Sequence, residues 1–115
     1  MISRCLFAIA LAGVSLAALA DDAAATRGQA LFRKNMCFTC HGTVGQGGER
    51  SAGPRIAPNP WPAEAIKLQL REPRQDMPRY DEKFVGNQDI DDIRAYLASL
   101  PAAPKAKDIP LLSRM

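Results

Sequence analysis

Apolar positions recur at helical spacing in two parts of the chain. Ile90, Ile93, Leu97 and Leu100 form one stripe, with Tyr96 beside it, and the spacing predicts an amphipathic helix over 87–100. Gly86 is an acceptable N-cap, Asp89, Asp91 and Asp92 suit the positive start of a helix, and Pro101 ends it. Upstream, Gly28, Leu31, Phe32 and Met36 share one side of a run of good helix formers, which predicts a helix over 24–36. Gly28 is costly there unless something packs close against it. A shorter helix is predicted over 62–71, with Pro62 in the first turn and Ile66 and Leu70 facing inward. No stretch alternates apolar and polar residues as a half-buried strand does, so the chain reads as all-α.

The segments outside these helices differ in kind. Residues 42–62 are rich in glycine and proline and read as loop; Gly45, Gly47 and Gly48 suggest a flexible connection. After Leu100, "PAAPKAKDIPLLSRM" holds three prolines and no period, so 102–115 reads as a mobile or extended tail, with "IPLL" either docked on the body or a partner or part of a disordered end. At the other end, Arg4 precedes a 15-residue apolar run, Leu6 to Ala20, and Ala18-Leu19-Ala20 offers a small-x-small cleavage site. That is the pattern of a secretory signal peptide over 1–20. A retained membrane anchor is the rival reading, but the run falls short of the ~20 residues a spanning helix needs. No later segment is apolar enough to span a membrane.

Export changes the accounting. A mature chain from Asp21 to Met115 has 95 residues, one small domain with a modest core over 21–101. Without Arg4 it carries 14 basic and 12 acidic side chains, a net charge of +2, too small to imply nucleic acid or an anionic membrane as partner. Charge is uneven, however. Five basic residues stand against Glu49 over 23–55, and five acids against Lys83 over 81–92. Around Met77, Lys67, Arg71, Arg74 and Arg79 outnumber Glu72 and Asp76. Either this is a basic face that steers an acidic partner or it is ordinary solvated surface.

The mature chain keeps two cysteines, in "MCFTCHG" at 36–42, directly before its single histidine. A local disulfide would close too small a loop to staple a domain and would leave the histidine unexplained. A structural zinc site needs four protein ligands, and no second Cys or His pair exists. A thioredoxin-like redox pair would follow a strand. Covalent haem attachment accounts for all three residues: Cys37 and Cys40 each add to a haem vinyl group, and His41 becomes an axial iron ligand. For the second ligand, Met36 abuts Cys37 and Met115 ends the tail, whereas Met77 lies 36 residues beyond His41 in "RQDMPRY". Pro78 stiffens that loop and bars Met77 from helical geometry. A thioether ligand favours reduced iron and hence a relatively high potential.

With those residues in place, nearly all of the mature chain resembles the class I cytochrome c family, single-haem bacterial type. The shared parts are an N-terminal helix, CxxCH, a glycine-proline loop, a middle helix, a methionine-proline loop and a C-terminal helix, in that order. The resemblance implies a small all-α fold, with three main helices and loops wrapped around one covalent haem c. It implies that Gly28, Phe32 and Tyr96 pack where the first and last helices cross. It also implies that Pro54, in Gly53-Pro54, marks the backbone carbonyl that hydrogen-bonds the axial histidine's other nitrogen. Ile56 stands where the family often has leucine. Tyr80 matches an aromatic of the methionine loop. Trp61, between Pro60 and Pro62, is expected to pack in the core rather than to reach a haem propionate, and Arg55 is a further candidate for a propionate. Function follows as one-electron transfer by a periplasmic carrier with no catalytic acid, base or nucleophile of its own. The expected partners are redox proteins: a dehydrogenase, oxidase or reductase. Docking on a periplasmic dehydrogenase as its haem subunit, or gas or peroxide binding with Met77 off the iron, are the other readings.

Overall fold

Alanine, leucine and other helix formers continue with no proline between them from the N-terminal apolar run into the predicted first helix, and the two form one element. The computed structural model describes residues 5–49, 52–58 and 60–112, and side chains from residue 17 onward; Arg4, Arg50 and Met115 lie outside the described residues. Helix α1 spans Cys5–Lys34, α2 Phe38–His41, α3 Ala63–Arg71 and α4 Asn87–Ser99, followed by a 3-10 turn at Ala106–Asp108. Among the described residues there is no strand.

The expected boundaries of the first helix, 24 and 36, are both corrected. Its end is set by backbone hydrogen bonds. The Met36 N–H donates to the Arg33 carbonyl and the Cys37 N–H to the Phe32 carbonyl, both at 3.1 Å, while Met36 takes the left-handed conformation at φ 61°. This is a Schellman cap with methionine where glycine is usual. Met36 therefore leaves the helical face on which its spacing placed it and is 54% exposed.

Helices α1 and α4 make the main interhelical contact, and α3 packs on α4. Phe32 and Tyr96 meet with ring centroids 5.6 Å apart at a tilt of 56°. Gly28 lets the two backbones touch: a Cβ there would overlap the Asp92 carbonyl and come within 2.8 Å of the Tyr96 Cβ. One residue away, Arg27 grips the buried Asp92 carboxylate with two bonds of 2.7 and 2.8 Å. Asp92 thus serves as an interhelical anchor rather than as a dipole charge at the helix start.

The core gathers Phe32, Leu70, Val85, Ile90, Ile93, Tyr96 and Leu97 around this crossing. Fully burying a side chain such as Phe32 or Ile90 contributes about 1.5–3 kcal/mol. Leu100 is half-buried at the edge. Val85 carries no periodic sequence signal: it stands next to Phe84 in an otherwise polar stretch, and of the two it is the valine that is buried while Phe84 is exposed. Trp61 corrects the expectation of core packing: it is 61% exposed. Its flanking prolines hold the chain extended, and its carbonyl accepts a 3.2 Å bond from the Arg94 Nε, which fixes the backbone while the indole faces out. Residues 101–112 are exposed except for half-buried Ile109. Among the described residues no helix is long and apolar enough to cross a membrane.

Candidate functional site

The cap that ends α1 turns the chain straight into the cysteine motif. Cys37 precedes the single turn of α2, which carries Cys40 and His41, and the His41 N–H donates to the Cys37 carbonyl at 3.0 Å. Spacing of three residues puts both sulfurs on one side of that turn. Both thiols are free and half-buried. Burial pushes the Cys37 thiol up to about 11, so in the unloaded chain it is protonated at neutral pH.

The glycine-rich loop is folded tightly over this turn, which corrects the expectation of a flexible connection. The Gly47 N–H donates to the His41 carbonyl at 2.8 Å, and the Ile56 and Ala57 N–H groups donate to the Gly45 carbonyl at 2.9 and 3.0 Å. At Gly53 a Cβ would lie 2.7 Å from the Cys40 carbonyl oxygen and 3.2 Å from the His41 Nδ1, so only glycine permits this approach. The consequence is chemical. The Pro54 carbonyl comes within 2.9 Å of the His41 Nδ1. A proton on Nδ1 completes that bond and leaves the Nε2 lone pair for a metal.

Met77 arrives from the loop over 72–86. Its sulfur lies 3.5 Å from the Gln69 side-chain amide, a polar neighbour on α3 that no sequence pattern marked. Tyr80, from the same loop, donates its N–H to the Leu70 carbonyl and its hydroxyl to the Asn35 carbonyl, both at 2.9 Å. Burial, and then the nearness of Cys37 and Cys40, raises the Tyr80 hydroxyl above its ordinary value.

Cys37, Cys40, His41, Pro54, Met77 and Tyr80 all line one cavity of about 570 Å³, within the range of sites that hold an organic cofactor. Every residue singled out in the sequence for the site is therefore brought to the same space. Its donors are two thiols, an imidazole and a thioether, with apolar walls that include Ile66, Leu70 and Ile93. These residues fit haem c. They do not fit zinc: among the described residues no group of three or more His, Cys, Asp or Glu side chains is gathered to hold a metal ion. Trp61 and Arg55 also line the cavity, both exposed. Of the basic residues counted around Met77, Arg79 pairs with Asp81 at 2.9 Å, whereas Arg71 keeps its charge and spends its donors on backbone carbonyls.

Comparison with known proteins agrees with this construction. Residues 23–97 match the family described as cytochrome c oxidase, cbb3-type, subunit III, and the chain belongs to that family. It is a class I c-type cytochrome, whose cofactor is haem c with iron. It is also 37% identical over 87 residues to a cytochrome bc1 complex cytochrome c subunit of Corynebacterium diphtheriae. That alignment takes in 73% of this chain but 30% of the relative, so the chain spans under a third of the curated protein it matches. No solved structure matches it.

Proposed function

We propose that this cytochrome is an exported single-haem carrier in which Cys37 and Cys40 anchor the haem and His41 and Met77 ligate its iron. Haem supplies the one-electron couple. The protein's part is to hold the ligands still in both oxidation states, so that little rearranges on transfer. Pro54 orients the His41 ring and makes it a stronger donor. Gln69 donates toward the Met77 sulfur, and the apolar walls exclude water. The observation that carries this reading is the convergence of both thiols, His41 and Met77 on one cavity.

The segment 1–20 reads as the export signal that delivers the chain to the periplasm, where thioether formation is supported. The family description and the Corynebacterium relative favour a second reading, in which the chain serves as the haem subunit of a larger respiratory assembly.

Replacing Met77 with alanine tests the ligand set. Loss of the long-wavelength methionine–iron band and a lowered potential are expected; an unchanged spectrum and potential would exclude Met77. Sizing of native periplasmic extract, followed by haem absorbance, separates the carrier (a small species) from the subunit (co-elution with a large complex).

A further inference from the structure

The last residue of α3 is a cation with no carboxylate partner among the described residues. Arg71 is half-buried, and its guanidinium is directed at two backbone carbonyls: one terminal nitrogen donates to Tyr80 at 2.8 Å, the other to Val85 at 2.7 Å. Both acceptors belong to the segment that follows Met77. The Tyr80 N–H in turn donates to the Leu70 carbonyl at 2.9 Å, so Tyr80 is gripped through both of its backbone polar groups by adjacent residues of α3. Val85, the other acceptor, is a fully buried core residue. A planar, permanently charged fork holds two acceptors at fixed separation, which a lysine ammonium on a flexible stem does not.

We propose that Arg71 is the positioning residue for Met77, a two-point clamp that keeps the methionine loop closed over the cavity. The inference rests on Met77 being the second iron ligand. The loop has two states: closed, with Met77 presented to the cavity, and open, with that position available to an external ligand. The apparent affinity for such a ligand scales with the open fraction. Two charge-assisted bonds, made only in the closed state, keep that fraction small.

The test uses imidazole as the external ligand, titrated into the oxidised haem-loaded protein and followed by the shift of the main haem absorbance band, which reads binding in every variant including Met77→Ala. Arg71→Gln and the milder Arg71→Lys are each expected to bind imidazole about tenfold more tightly or better than wild type, given the strength of charged hydrogen bonds. Because lysine keeps the charge, its failure to restore wild-type affinity assigns the effect to the fork. Asp92→Asn loosens the α1–α4 contact away from the loop and is expected to leave imidazole affinity unchanged. Wild-type affinity in both Arg71 variants, with tightened binding in Met77→Ala, overturns the clamp and leaves the ligand set standing. An Asp92→Asn effect as large as that of Arg71→Gln also overturns it, since general loosening then suffices. Wild-type affinity in Met77→Ala overturns the ligand set itself.

Discussion

The Tyr80 hydroxyl donates a 2.9 Å hydrogen bond to the Asn35 carbonyl, across 45 residues of chain. Asn35 immediately precedes the Met36–Cys37 cap, so this bond ties the methionine loop to the peptide that launches the cysteine motif. The two segments that bring the thiols and the thioether are therefore fastened to each other directly, independently of any bound group. Tyr80→Phe removes the bond and keeps the ring. A loss of about 1 kcal/mol in unfolding free energy is expected, with the visible spectrum retained. Denaturant titration of the haem-loaded protein measures it, and an unchanged midpoint would mean that water replaces the bond at no cost.

Gly53 sets the distance between the Pro54 carbonyl and His41. In Gly53→Ala the new methyl meets the Cys40 carbonyl and the imidazole, and the loop must retreat. Overpacking of this kind costs about 1–3 kcal/mol. The weakened carbonyl–imidazole bond makes His41 a poorer donor, which favours reduced iron, so the potential is expected to rise. Redox titration of wild type and variant decides it. A potential that falls or stays put would separate Gly53 from histidine tuning.

The Arg27–Asp92 bridge predicts how stability varies with acid. The Arg27 hydrogen bond, chiefly, holds the Asp92 carboxyl below its ordinary value of 3.8. Its folded pKa lies below its unfolded one, so the stabilisation is complete above the unfolded value and is lost as pH falls through the folded value. Asp92→Asn cannot show this dependence. Its denaturation midpoint is expected to lie below that of wild type at pH 7, with the gap closing in strong acid. A gap that stays constant down to pH 2 would assign the difference to packing.

Met36 occupies the left-handed position of the α1 cap with its side chain 54% exposed. A non-glycine residue there costs about 1–2 kcal/mol, partly offset in a glycine variant by the entropy of a freer unfolded chain. Met36→Gly is expected to stabilise the protein by up to about 1 kcal/mol, read from thermal unfolding. Destabilisation would show that the methionine side chain contributes packing at the cavity rim that outweighs the backbone strain.

Much of the site was legible in the chain because its chemistry is written in adjacent residues. Two thiols and an imidazole within five positions need no fold to be recognised, and Met77-Pro78 names a ligand loop by elimination among few methionines. The helices that carry the core were legible for the same local reason: Ile90, Ile93 and Leu97 repeat with the helical period, and all three are buried. The misreadings concern properties that no local pattern encodes. Met36 continues the period but sits in the left-handed cap, past the last helical residue. Trp61 is the largest apolar side chain in its loop, yet its prolines and the Arg94 contact hold it outward.

What local sequence settles, then, is the cofactor chemistry, the all-α class and the order of the elements, since helix periodicity and a ligand motif act over a few residues. The tertiary structure alone decides which polar groups meet. Arg27 finds Asp92 across 65 positions, Arg71 reaches the Tyr80 and Val85 carbonyls of the segment after Met77, and the glycine loop folds onto Cys40 and His41 instead of swinging free. The first of these contacts depends on α1 and α4 crossing closely, the other two on loops folding back against helices. That closeness is a property of the packed whole, made possible at Gly28 by the absence of a side chain.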